Sequence, residues 1–192
     1  MAQAIEPDAW TERFLVTLQP KGGTAVNYYA HITTYDINGG EKDFTSIANA
    51  KGGRIKNFNP QADVEVTLEG YFTEVGNGDG VYDYLYATTA DSTQPLSFSS
   101  DHSRELMLLS IMHTTDESAT SAVAASTQDE RAIRETYKNG HITVVTTSFT
   151  DNIKKFTIKY KVTPFAKDGS SNITEESTDG SATSPLPAVT YT

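Results

Sequence analysis

The regular alternation of Phe156, Ile158, Tyr160 and Val162 with Lys155, Thr157, Lys159 and Lys161 constrains this chain more than any other stretch. A period of two, apolar on one side and charged on the other, is a strand with one buried and one wet face. The run before it, Ile142 to Phe149, is rich in β-branched residues, and Thr150-Asp151-Asn152 supplies a polar turn. His141 to Phe149 and Lys155 to Val162 are therefore expected to form a β-hairpin. Its apolar face needs a second layer to cover it, which points to a β-rich fold.

A chain of 192 residues is long enough for one well-buried domain. It contains no cysteine, so disulfides and thiolate chemistry are excluded. A formal net charge of −10 argues against a surface that grips phosphates, which requires clustered Lys and Arg. No apolar run reaches bilayer length, and Met1 to Trp10 carries acids and a proline where an export signal needs an apolar core. The expectation is a chain with no membrane span and no cleavable leader.

Along the chain, residues 1–11 read as an N-terminal arm, 12–178 as the domain and 179–192 as a tail rich in Gly, Ser and Pro. Phe14, Val16 and Leu18 alternate with Arg13, Leu15 and Thr17 in a first strand stopped at Gln19-Pro20. Thr24 to Tyr35 reads as a second strand, closed by Asn38-Gly39-Gly40. Glu41 to Ala50 has no firm period and is expected to be a loop. Arg54 to Phe58 and Asp63 to Thr73 are expected to pair as a second hairpin through Asn59-Pro60. Val81 to Tyr86 fits a strand or a helical turn, and Leu96 to Phe98 a short strand. Arg104 to His113, apolar on both faces, reads as a buried strand. Thr114 to Ala125 is expected to be an exposed loop of small residues. Thr127 and Glu130 have capping-box spacing, Glu130 and Arg134 an i to i+4 pairing, and Ile133 with Tyr137 an apolar stripe. These predict one α-helix over 128–138, ended by Asn139-Gly140. Ala166 to Ser171 is a turn and Asn172 to Glu175 a short strand. The tail after Asp179 has too few apolar groups to order alone.

No pattern meets the demands of catalysis or of a cofactor. Asp101-His102-Ser103 has the residue types of a hydrolase triad, but a triad is assembled in space and adjacency does not make one. His31, His102, His113 and His141 lack any metal-ligand spacing. Asn77 and Asp79 lack the remaining ligands of a calcium loop, and Lys51-Gly52-Gly53-Arg54 lacks the spacing of a phosphate loop. Asn172-Ile173-Thr174 is a glycosylation sequon. The reading is a chain with no catalytic, metal or cofactor residues.

The charge pattern of weight is Asp63, Glu65 and Glu69, which with Thr67 lie on one face of their strand while Val64, Val66 and Leu68 lie on the other. One reading is the solvated face of an antiparallel strand. The other needs assembly: copies in a ring would line a hole with carboxylates, and DNA would be repelled evenly from its wall.

The order of parts completes the picture. A β-rich domain with Lys51-Gly52-Gly53-Arg54-Ile55 and Val64-Glu65-Val66-Thr67-Leu68-Glu69-Gly70-Tyr71, one helix, the hairpin Val144 to Val162 and the tail Ser171 to Ser177 resembles the tail-tube (major tail) proteins of tailed prokaryotic viruses. The resemblance spans roughly residues 12–178. It implies a mainly β fold, a sandwich or barrel with one flanking α-helix and long loop or hairpin arms. It also implies a non-enzymatic virion protein, assembled in the host cytoplasm as homo-hexameric rings stacked into a tube. Tape-measure, tail-terminator and baseplate proteins would be its partners, and DNA would pass without specific binding. By that resemblance Asp63, Glu65, Thr67 and Glu69 line the lumen on a hairpin from Lys51 to Thr73. Glu41, Asp43 and Phe44 would contact the next ring.

Two other classes compete. Tyr28, Tyr29, Tyr82, Tyr84 and Tyr86 would suit a carbohydrate- or surface-binding β module, a virion decoration or an adhesin. Asp79 and Asp83 are weak candidates for the acidic pair of a hydrolase.

Overall fold

The computed structural model describes residues 13–28, 31–58, 60–71, 106–128, 130–150, 153–179 and 185–192. The strands are β1 Arg13–Pro20, β2 Val26–Tyr28, β3 His31–Gly39, β4 Phe44–Ala48, β5 Arg54–Phe58, β6 Val64–Tyr71, β7 Met107–Thr114, β8 Arg131–Thr150, β9 Ile153–Val162 and β10 Ile173–Asp179. All pairings between them are antiparallel. The fold is mainly β, and the described residues contain no helix.

The architecture turns on β8, whose 20 residues are far more than the five or six of an ordinary strand. Its first half pairs with β7 and β10, from Ala132↔Thr114 and Arg131↔Asp179 up to Tyr137. Its second half pairs with β9, from His141↔Lys161 to Thr150↔Ile153. β8 thus belongs to two half-sheets, β2-β1-β7-β8-β10 and β8-β9-β6-β3. Extra residues between Met107 and Leu109's partners, and between Ile142 and Val144, break the ladder on either side of the crossing. Such bulges bend and twist a strand. Asn139, at φ 60°, sits at the first.

The two halves enclose one core. Val16, Leu18, Leu109, Ile111 and Tyr137 come from one side, and Val66, Leu68, Phe156, Ile158, Tyr160 and Val162 from the other. The alternation in β9 and β6 is therefore that of a face turned to this core and a face turned away from it. The Tyr160 side chain, fully buried, joins the halves at the bend. Its hydroxyl accepts the Gly140 N–H at 3.0 Å and lies 2.7 Å from the Met107 carbonyl and 2.9 Å from that of Tyr137. Burial pushes this phenol far above its ordinary pKa, so it keeps the proton it shares between those carbonyls. Gly140 is required by space: a Cβ there would stand 2.3 Å from the Tyr160 ring and 2.7 Å from the Lys161 carbonyl.

Several expectations change. Residues 131–138 of the helix expected over 128–138 instead lie in the first half of β8, in which Ile133, Glu135 and Tyr137 alternate with Arg134 and Thr136. Glu130 and Arg134 do not pair with each other: Thr115 donates to Glu130, and Arg134 to Glu176. Glu41 to Ala50 is not all loop, because it contains β4, which pairs with β5 from Phe44↔Phe58 to Ala48↔Arg54. The expected β5–β6 hairpin is consequently absent; β6 pairs with β3 and β9. Thr24 to Tyr35 is divided between β2 and β3, which end up at opposite ends of the strand order. Thr114 to Ala125 is not uniformly exposed, since Thr114, Asp116 and Ala122 are buried. The hairpin of β8 and β9, the first strand, the buried strand β7 and the strand after Asn172 form as read. Val81 to Tyr86 and Leu96 to Phe98 lie outside the described residues.

Replacing Tyr160 by Phe removes the acceptor of a buried N–H and is expected to cost about 1–3 kcal/mol. Gly140→Ala, which forces backbone apart, is expected to cost about 3 kcal/mol or more. Urea unfolding measures both. Wild-type midpoints in the two variants would remove this hydroxyl from its role as the joint.

Candidate assembly interface

The acidic stripe forms as expected on β6, whose Val64, Val66 and Leu68 are buried while Glu65 and Thr67 are half-buried and Glu69 is exposed. Asp63 stands just before the strand. Register adds what the sequence did not show: Glu65 is opposite Lys161, Thr67 opposite Lys159, and Tyr71 opposite Lys155. Lys159 Nζ reaches Glu65 Oε1 at 2.8 Å, and Lys161 Nζ lies 4.0 Å from Asp63 Oδ2. The stripe therefore sits beside a lysine row, on a face of mixed charge. These partly exposed pairs contribute at most about 1 kcal/mol each.

Glu41, Asp43 and Phe44 lead into the β4–β5 arm. The Glu41 carbonyl accepts the Ala62 N–H at 2.9 Å, and Asp43 Oδ1 accepts the Phe44 N–H at 2.7 Å, so the base of the arm is tied down. The arm is a separate two-stranded sheet. Its cross-strand pair Ile47 and Ile55 is 58% and 61% exposed, and Phe44 is exposed beneath the Lys56 ammonium, 5.0 Å from the ring centre. At its tip Asn49 Oδ1 accepts the N–H groups of Lys51 and Gly53. Those amides are thus taken, and Lys51-Gly52-Gly53-Arg54 is a turn and no phosphate cradle. The β8–β9 hairpin ends in a smaller apolar patch, with Phe149 and Ile153 exposed.

The opposite, outer face of the β1-β7-β8 half is covered by residues 115–128 and 185–192. Arg134 holds them. Its guanidinium is 1% exposed and donates to Glu176 Oε2 at 2.7 and 3.1 Å, to the Ala124 carbonyl at 3.0 Å and to the Pro187 carbonyl at 2.6 Å. The two segments also exchange bonds: Ser126 N–H donates to the Leu186 carbonyl, and Leu186 N–H to Ser126 Oγ. Leu186 packs with Met112, Ala122 and Ala132, and Tyr191 is buried too. Residues 185–192 of the tail thus pack against the domain. Asp116 organises the other segment, accepting from Ser118 N–H and Oγ at 2.7 and 2.6 Å and from the Thr127 hydroxyl. The Ser118 and Thr127 hydroxyls hold its carboxyl below the usual range.

A third polar group links the half-sheets. Tyr35 of β3 and Tyr137 of β8 both donate to Glu135, Tyr137 at 2.8 Å. Burial, reinforced by this carboxylate, raises both phenols above their ordinary pKa. They stay protonated donors, which makes the trio a strut and unsuits it for proton transfer near neutral pH.

No group of metal-ligating side chains occurs among the described residues. His102 with Asp101 and Ser103, Asn77, Asp79, Asp83, Tyr29 and Tyr82 to Tyr86 lie outside them. Asn172 of the sequon is buried and bonded to Asn139 and Thr163, so it offers no acceptor for a glycan in the folded chain. Asp116 and the pair Ile47–Ile55 were not singled out from sequence, and Arg134 only as a helical partner of Glu130. For the isoleucine pair, a signal existed: two β-branched runs around Asn49 and Gly52-Gly53.

No family model and no curated protein matches the chain. Solved structures do resemble it. One is a chain from the extended sheath-tube complex of PVC, an extracellular contractile injection system (TM-score 0.48, 11% identity, 88% of this chain and 90% of that one). A second is from the PVC sheath/tube terminator in the extended state (TM-score 0.48, 12% identity, 92% and 99%). A third is the anti-feeding prophage cap, which terminates its tube (TM-score 0.46, 16% identity, 93% and 95%).

The sign of the Asp116 shift fixes a pH dependence. Its folded pKa is depressed, so its contribution is full above the unfolded value of about 4 and is lost as pH falls through the folded one. Between about pH 5 and pH 3 the unfolding midpoint of the wild type is expected to drop more steeply than that of Asp116→Asn. Parallel slopes would show that this carboxylate is not what ties residues 115–128 down in acid.

Proposed function

We propose that this chain is a structural, non-enzymatic subunit of a phage-tail-like tube, joined into hexameric rings that stack around a channel. The observation that carries the reading is the β4–β5 arm. A lone two-stranded hairpin is marginal in water and needs a further strand or surface. This one holds Phe44, Ile47 and Ile55 out to solvent, a combination that is a hazard in a monomer and a joint in an assembly. In this reading the arm, with Glu41, Asp43 and Phe44 at its base, makes the contact between rings.

Asp63, Glu65, Thr67 and Glu69 face the channel in the same reading. Their β9 lysine neighbours temper the wall, so that neither a polyanion nor a polycation is held fast along it. The passing cargo would be DNA with a tape-measure protein, the ends of the tube would meet terminator and baseplate proteins, and its place would be a particle tail. A carbohydrate-binding module is not favoured by any described residue.

Electron microscopy of purified protein across a concentration series, with sedimentation alongside, is expected to show rings or hollow tubes of even diameter. Ile47→Asp with Ile55→Asp is expected to abolish the stacked tubes while leaving the urea midpoint within about 0.5 kcal/mol of wild type, as for exposed sites. Monomers of the wild type at every concentration, even with a tube-initiating complex added, would overturn the reading. Within assembled tubes, Glu65→Lys with Glu69→Lys is expected to leave the diameter unchanged yet slow cargo release by attracting DNA to the wall. Unaltered release would remove these residues from the channel.

A further inference from the structure

The arm is also, like β9, a positive stretch of an acidic protein. Between Phe44 and Phe58 the chain holds Lys51, Arg54 and Lys56 and no carboxylate, whereas the whole chain carries −10. A basic, apolar hairpin that needs a further strand is matched by an acidic strand edge, and the body of a second copy offers one. Among the described residues, the strand order leaves β2, β3 and β10 each with one unpaired edge. β2 is uncharged, and β3 carries one carboxylate, Asp36, beside the lysine-tempered face. β10, Ile173–Asp179, carries Glu175, Glu176 and Asp179 and no cation.

One of these carboxylates has a reason to seek a cation. Glu176 is neutralised by Arg134. Glu175, exposed, stands directly opposite Glu135 of β8, and like charges facing each other across a ladder repel. Glu135 is in turn taken up by the two phenols of Tyr35 and Tyr137. A guanidinium arriving along the open edge would relieve that repulsion.

We propose that the β4–β5 arm of one copy docks on the free edge of β10 in the next copy, with Arg54 meeting Glu175. The inference rests on the tube reading and names the surface that receives its arm. The contact is heterologous, arm to edge, so it propagates from copy to copy and does not stop at a pair. Backbone pairing supplies affinity and the charges supply direction.

A charge exchange tests it, read by sedimentation velocity with circular dichroism as the check on folding. Arg54→Glu and Glu175→Arg are each expected to weaken self-association at least about tenfold, and an equimolar mixture of the two single variants to regain it, since in an alternating series every arm meets an edge of opposite charge. The double variant, which restores opposite charges at every joint, is expected to recover assembly. Assembly that survives Arg54→Glu, or a double variant no better than its parents, would overturn the docking site while leaving the tube reading intact. Wild-type protein that forms open chains without rings, lost in both single variants and regained in the double, would support the docking and sink the ring. Wild-type monomers under all conditions would overturn both.

Discussion

The Tyr160 hydroxyl is the point on which the two half-sheets depend. A strand of 20 residues that changes partners midway must bend, and bending breaks ladder bonds where the core is densest. One phenol meets that need by accepting the Gly140 N–H and facing the carbonyls of Met107 and Tyr137. Glycine at 140 follows, because the ring leaves no room for a Cβ. The inward residues of β6, β9, β1 and β7 can then meet in one core. The long-range pairing of β6 and β9, whose Glu65 and Lys159 are 94 positions apart, depends on the same bend.

Outside that core, polar side chains do what apolar burial does inside it. Residues 115–128 are mostly small and polar, residues 185–192 are short and hold two prolines, and neither segment has a hydrophobic period to fold upon. They are ordered by carbonyl groups that converge on the Arg134 guanidinium and by donors that converge on Asp116. An Arg buried in this way is satisfied because its planar fork places several donors at once. Removing it would leave the acceptors of two segments unpaired together, so the two coverings stand or fall as one unit.

These arrangements explain which parts were legible in the sequence. The β8–β9 hairpin, β1 and β7 were readable because each shows its burial as a local pattern, whereas β10, mostly exposed, was readable only as far as Glu175. The helix expected over 128–138 arose from spacings that are true of the sequence but are used across strands: Glu130 meets Thr115, and Arg134 meets Glu176. β4 escaped notice because its Ile47 and Phe44 face solvent, which leaves no buried alternation to detect. The acidic stripe was legible as a face. Its lysine neighbours were not, since they depend on the β6–β9 register. Nor was Asp116, whose importance comes from hydroxyls brought to it by the turn.

The separation of arm from core bears on how such a chain avoids misassembly. Ile47 and Ile55 sit in a sheet of their own, so their exposure is set by what the arm must bind and not by what the sandwich must bury. Two such arms from different copies are alike in shape and would pair edge to edge if they were neutral. Lys51, Arg54 and Lys56 make that encounter repulsive, as gatekeeping charges do beside exposed hydrophobic strands. The same charges are attracted to an acidic body. A single set of cations therefore disfavours the symmetric arm-to-arm contact and favours the arm-to-body one. In the proposed docking that asymmetry, and not apolar area alone, would direct association along a repeating course in place of a closed pair.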